Sequence, residues 1–234
     1  MKKAILTILM MLLFGVCSVQ AVDITFSTSG TIVNGNVYDD VYVENDGTIV
    51  DMFGGQIEGL WLYDTSIFNL HNGQIVGYFS GIDIGHLSTI NVLGGVIDKS
   101  SDFVVHGNAN FDGGSITAGR LKTYEDSIVT LTGGFLNLGM LEIHGELNIY
   151  GGMLDIEDNG GTDGVVNIYG YDFTYIPTGD PFWGGGTLTG YLLDNNPFII
   201  KGLSQNEFEN FNLIPEPMTV LLLGLGGVFL RRKS

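Results

Sequence analysis

Two stretches, VTLTGGFLNLG (Val129–Gly139) and LNIYGGMLDIE (Leu147–Glu157), follow one pattern. Apolar and polar residues alternate up to a glycine pair, and an apolar residue follows two positions later. Four more copies precede them: IVDMFGGQIEG (Ile49–Gly59), IFNLHNGQIVG (Ile67–Gly77, with Asn72-Gly73 in place of the glycine pair), INVLGGVID (Ile90–Asp98) and ANFDGGSITAG (Ala109–Gly119). Their second glycines are Gly55, Gly73, Gly95, Gly114, Gly134 and Gly152, spaced 18, 22, 19, 20 and 18 residues apart. Recurrence at a fixed interval of this size marks a stacked-repeat architecture. Period-two alternation marks strands with one buried face, and glycine suits corners that need a positive φ or close approach of two backbones.

A second apolar element precedes each pattern: VYVEN, LWLYD, GIDIGH, FVVHG, LKTYED and LEIHG. Each unit therefore holds about three short strands. No single unit can bury its apolar side alone, but a stack of them forms a continuous core. The sequence predicts an all-β chain: a right-handed, single-stranded parallel β-helix of about six coils, right-handed because parallel crossovers wind that way. A leucine-rich repeat would need an L-x-x-L-x-L-x-x-N signature, which is missing, and a sandwich would not require recurrence at this interval. The pattern decays after Asp158. Residues 22–160 are read as the repeats, 161–202, with the aromatic residues Phe182, Trp183, Tyr191 and Phe198, as a C-terminal β cap, and 203–213 as a short polar linker.

Composition narrows the function. The 234 residues carry 26 acidic and 9 basic side chains. Between Val22 and Ile214 only Lys99, Arg120, Lys122 and Lys201 are basic, against 25 carboxylates, a net of about −21. Such a field repels nucleic acid, which is excluded as a partner. The single cysteine, Cys17, leaves no internal disulfide.

The two ends differ from the body. Lys2 and Lys3, then an apolar run from Ala4 to Val16, then Val19-Gln20-Ala21, have the form of a secretory signal peptide over residues 1–21, with cleavage set by the small residues Val19 and Ala21. The opposite end, residues 214–234, holds Pro215-Glu216-Pro217, thirteen uncharged residues from Met218 to Leu230 (Leu221, Leu222 and Leu223 among them), and the basic tip Arg231-Arg232-Lys233. Thirteen residues make a helix of roughly 20 Å, short of the roughly 30 Å of a bilayer core. The basic tip should stay cytoplasmic. The chain is thus expected to be flanked by a signal helix and a C-terminal apolar helix.

This ending resembles the PEP-CTERM sorting signal of Gram-negative bacteria. The resemblance covers about the last 21 residues; Met218 departs from it, a small residue being more usual there. It implies export through the secretion translocon, transient anchoring in the inner membrane, and removal of the tail by an exosortase-type enzyme at Pro215-Glu216-Pro217. The destination it implies is the cell surface or extracellular matrix, among extracellular polysaccharide.

The expectation is therefore a non-enzymatic surface or matrix protein with no cofactor and no metal. The alternative is a polysaccharide-binding or lyase-like β-helix, with Trp61, Tyr63, Tyr78 and Tyr124 as sugar-stacking candidates. Alignment of the coils puts His106 and His144 at equivalent corners two coils apart, too far to share one zinc, in a stack with Tyr63 and Tyr124. Glu58, Asp98 and Asp155 share a repeat position in non-adjacent coils, which does not build a glycosidase-like carboxylate pair. No acid cluster is expected beside Lys99, Arg120 or Lys122. The oxygen-rich segment Asp158–Gly164 is a weak calcium candidate.

Overall fold

A computed structural model describes residues 21–77, 80–177 and 185–215. The chain is all-β, a parallel β-solenoid of about eight turns. In chain order the strands are Val22–Phe26 (β1), Gly30–Ile32 (β2), Val37–Val43 (β3), Ile49–Leu62 (β4), Ile67–Gly77 (β5), Ile82–Ile84 (β6), Thr89–Val92 (β7), Val96–Val105 (β8), Asn108–Phe111 (β9), Ser115–Thr123 (β10), Ile128–Leu131 (β11), Phe135–Ile143 (β12), Glu146–Ile149 (β13), Met153–Thr162 (β14), Val165–Ile176 (β15), Gly186–Leu192 (β16) and Pro197–Leu203 (β17). A four-residue helix, Gln205–Phe208 (α1), then leads into Phe211–Pro215 (β18).

Three faces run the length of the rod. On the first, β2, β4, β5, β7, β9, β11, β13, β15 and β18 lie in parallel register. The inward positions Val50, Phe68, Ile90, Ala109, Val129, Leu147 and Val166 form one buried column. This is the alternation of the sequence turned into a core: each inward residue sits on its counterpart one turn away, so each turn buries its neighbours.

The glycine corners hold the stack together. All six second glycines have positive φ, from +75° at Gly95 and Gly114 to +105° at Gly73. A Cβ on Gly134 would lie 2.6 Å from the Gly113 carbonyl oxygen, and one on Gly114 would lie 2.8 Å from that of Gly94. The glycine pairs therefore sit above one another, in contact through backbone.

The count of six coils is corrected to about eight. Counting by glycine pairs missed the ends, whose corners are built differently. The first turn uses Val33-Asn34-Gly35-Asn36, with Gly35 at φ +91°. At the far end the last turn is assembled out of order. After Ile168 the chain leaves the stack as an antiparallel excursion, β15 to β16 to β17, and β17 then returns in parallel beside β14. The segment expected to be a linker is folded. Ser204 caps α1 through a reciprocal capping box with Glu207, and β18 adds a rung to the first face, with Asn212 opposite Asn167. The positions at which a signal helix and an apolar helix were expected lie outside the described residues. No helix among the described residues is long and apolar enough to cross a membrane.

Candidate functional site

The densest chemistry lies on the third face, where β8, β10, β12 and β14 carry outward residues at every second position. Leu121, Thr123, Leu141 and Ile143 point inward and are buried, so Arg120, Lys122, Glu142 and His144 project outward. Lys122 lies directly opposite Glu142, and their charged atoms are 2.5 Å apart. Arg120 bridges two turns: it pairs with Asp102 on one side and reaches Glu142 at 2.8 Å on the other. His144 contacts Glu142 at 3.1 Å and Asp163 at 2.5 Å. Two of the four cations in the body thus meet acids here, which corrects the expectation that none faced Arg120 or Lys122. The Lys122–Glu142 pairing was legible, since both follow their second glycine by eight residues. The Asp102–Arg120 pairing was not, because the register slips between Ala118 and Arg120.

Glu142 is the hub. Partial burial works to raise its pKa, but hydrogen bonds from Lys122 and His144, with the charges of Lys122 and Arg120, bring it down to about 2. The hydrogen bond to Glu142, aided by Asp163, raises His144 above the ordinary histidine value. The cluster is a salt-bridged belt across four turns, with each cation matched by a carboxylate.

The aromatic column beside it was expected to hold Tyr63, His106, Tyr124 and His144. His106 stacks on Tyr124 at 4.0 Å, and His144 lies beyond Tyr124 at 6.4 Å, tilted by 44°. Tyr63 is cut off from them, because Leu62 pairs with Ile84 and Ile84 with Val105. That register sets Gly85 between Tyr63 and His106. Trp61 stacks on Tyr42 at 5.1 Å, and Phe53 stacks on His71 at 4.5 Å. Trp61 thus gives one face of its ring to Tyr42, whereas Tyr63 is 45% exposed. Tyr78 lies outside the described residues.

The remaining candidates stay apart. Asp98 lies opposite Val76 and Thr117, and Asp155 opposite Asn137 and Ile199, so no two of Glu58, Asp98 and Asp155 lie in adjacent turns. Within the calcium candidate, Asp163 engages His144, and Thr162 donates to Asn159. Among the described residues no group of three or more His, Cys, Asp or Glu is placed to hold a metal ion.

Two features escaped the sequence reading. The first is a polar ladder on the first face. Asp51, Asn69, Asn91, Asn110, Thr130, Asn148, Asn167 and Asn212 occupy one column. Asn69 donates to Asp51 at 2.9 Å, Asn91 to Asn69 and Asn110 to Asn91 at 2.8 Å, and Asn167 to Asn148 and Asn212 to Asn167 at 2.9 Å. Its signal was an apolar-Asn-apolar triplet in IFNL, ANFD, LNIY, VNIY and FNLI. The second is Lys99, only 1% exposed. It occupies the space left by Gly77 and Ala118, its register partners on either side. Its ammonium donates to the backbone carbonyls of Glu58 and of Ser80, the latter at 2.6 Å. Burial lowers its pKa, opposed by the charges of Glu58 and Asp40. The 22-residue interval between Gly73 and Gly95 is the longest in the stack, and Lys99 supplies donors to a carbonyl beside the extra residues.

The residues expected to direct sorting fall at and beyond the two ends of the described residues. Ala21 directly precedes β1, and Pro215 is the exposed last residue of β18. Val19, Glu216, Pro217, Met218, Leu221, Leu222, Leu223, Leu230, Arg231, Arg232 and Lys233 lie outside the described residues. No family model, no curated protein and no solved structure matches this chain.

Proposed function

We propose that the chain is a non-enzymatic, exported rod of the cell surface or extracellular matrix, delivered by its two terminal signals. The signal peptide takes it through the translocon. The apolar tail holds it in the inner membrane with the basic tip inside, and an exosortase-type enzyme releases it at Pro215-Glu216-Pro217. One observation supports the reading: among the described residues the first strand starts at Val22, the residue after the expected cleavage site at Ala21, and the last, Phe211–Pro215, runs up to the first residue of the processing motif. Removal of both signals would leave β1 to β17 whole and would touch β18 only at its last residues. It also lacks cysteine, so it folds outside the cytoplasm without waiting for disulfides.

The test is intact-mass analysis of the protein expressed from its full gene in Gram-negative hosts with and without an exosortase-type enzyme. The expected product begins at Val22 in both hosts, loses its tail only where the enzyme is present, and stays in the membrane fraction where it is absent. Glu216→Ala should keep the tail in both hosts. A product that retains Met1, or equal processing of the variant, would refute the proposal.

A further inference from the structure

We infer that undocking of β18 from β15 gates removal of the tail. The inference rests on the sorting reading above and deepens it, by naming what limits the processing step. The stretch expected as a linker is folded. Its chain enters the ladder at Asn210, whose carbonyl accepts the Val166 N–H at 3.0 Å. From Phe211 opposite Val166 to Pro215 opposite Gly170, the strand then lies in register on β15. The ladder therefore reaches the first residue of the processing motif. Only Glu216 and Pro217 separate that residue from the apolar run at Met218, and two residues span at most about 7 Å. A peptidase takes the bond it cuts in extended form, together with residues on either side. On the upstream side those residues are paired in the ladder, with the rest of the rod behind them. Enclosing them requires the strand to leave.

This rung is built to leave. Among the described residues β18 pairs only with β15, whereas β13 pairs with both β11 and β15. β18 buries one side chain, Phe211, where β13 buries Leu147 and Ile149 on the same face. The helix before it, α1, buries none. Three side-chain contacts complete the hold: Asn212 donates to Asn167 at 2.9 Å, Asn210 donates to the Thr162 carbonyl, and Phe208 stacks on Tyr175 at 4.4 Å. Opening a segment held this way costs a fraction of global unfolding. Cleavage of a transiently open form tracks its population when opening and closing are fast. The hold on β18 thus sets the rate at which the tail is lost.

A removable cross-link tests this. Asn167 and Asn212 are register partners, and adjacent strands stand about 4.8 Å apart, within reach of a disulfide. Cys17 lies in the leader, so the exported body holds no other thiol. Tail loss from the full chain is followed by pulse–chase and intact mass in the host that carries the enzyme. Phe211→Ala, which removes the buried anchor, loses its tail about tenfold faster or more, with the far-UV circular dichroism of the body unchanged. Asn167→Cys combined with Asn212→Cys loses it about tenfold more slowly or less while cross-linked and regains the unmodified rate in reductant. Either cysteine alone has no effect. A cross-linked chain processed as fast as its reduced form overturns the inference, and so does Phe211→Ala processed at the unmodified rate. A chain that keeps its tail in every host sinks the sorting reading alone. Amide hydrogen exchange of the tail-bearing chain then decides the latch: β18 exchanges about tenfold faster than β13 or more, and slows on cross-linking. Protection of β18 as deep as that of β13 overturns it.

Discussion

Replacing Gly134 by alanine separates the cost of backbone contact between turns from the cost of a left-handed residue. Gly134 has φ +79°, and a Cβ there would lie 2.6 and 2.7 Å from the carbonyl oxygen and carbon of Gly113, and 2.8 Å from the oxygen of Gly114. All three are backbone atoms of the turn below, so relief requires the two turns to part. The Gly114 oxygen also accepts the Phe135 N–H at 3.0 Å, a bond that lengthens as they separate. The left-handed conformation costs an alanine roughly 1–2 kcal/mol, and the strained inter-turn hydrogen bond about 1 kcal/mol more. With the overlap itself, the total is about 3–4 kcal/mol. Gly35→Ala is the control: its φ is +91° and nothing lies within 4 Å of the added carbon. It should cost only the conformational part, about 1–2 kcal/mol. Both substitutions shrink the freedom of the unfolded chain equally, so that effect cancels in the comparison. Urea unfolding of the two variants, followed by far-UV circular dichroism, reads the difference. Equal midpoints would refute the account of the glycine corners.

Three further outcomes are expected. Asn91→Asp removes the amide that donates to Asn69 and sets two acceptors face to face, a loss of about 1–2 kcal/mol in urea unfolding. Lys99→Met keeps the volume but removes the ammonium that donates to the Glu58 and Ser80 carbonyls, leaving Ser80 only the Ser101 hydroxyl, which should lower stability by about 1–2 kcal/mol in the same assay. The Glu142–His144 belt makes stability depend on pH. Glu142 titrates near 2 in the fold against 4.5 free, so its contribution is present above about 4.5 and is lost as pH falls toward 2. His144 is raised above 6.5, so its contribution is full below about 6.5 and is lost as pH rises through its folded value. The urea midpoint should therefore be highest between about pH 4.5 and 6.5, and His144→Gln should remove the decline on the alkaline side.

The glycine pairs and the alternation made the body of the fold legible because both report local backbone demands. Every second glycine named from the sequence stands at positive φ. The parts that were missed depend on register. Arg120 meets Asp102 only because the ladder slips by a residue between Ala118 and Arg120, and such a slip leaves no mark in either strand alone. Tyr63 lost its place in the aromatic column because Gly85 occupies the turn between. The strand at Phe211–Pro215 was hidden by its polar approach, QNEFEN, although its FNLI repeats the triplet of the asparagine column. The end turns were missed because they close without a glycine pair.

The glycine corners also make the rod modular. The six second-glycine corners all have positive φ, and, apart from Lys99, which reaches two turns back to the Glu58 carbonyl, the stack is held by strand ladders between adjacent turns. A segment cut from one second glycine to the next can therefore be excised, and the severed faces rejoined, without redesigning any side chain far from the splice. Each such edit changes the length by one step of about 4.8 Å. Dosage of a single unit, rather than point substitution, is the natural currency in which this protein's reach is altered.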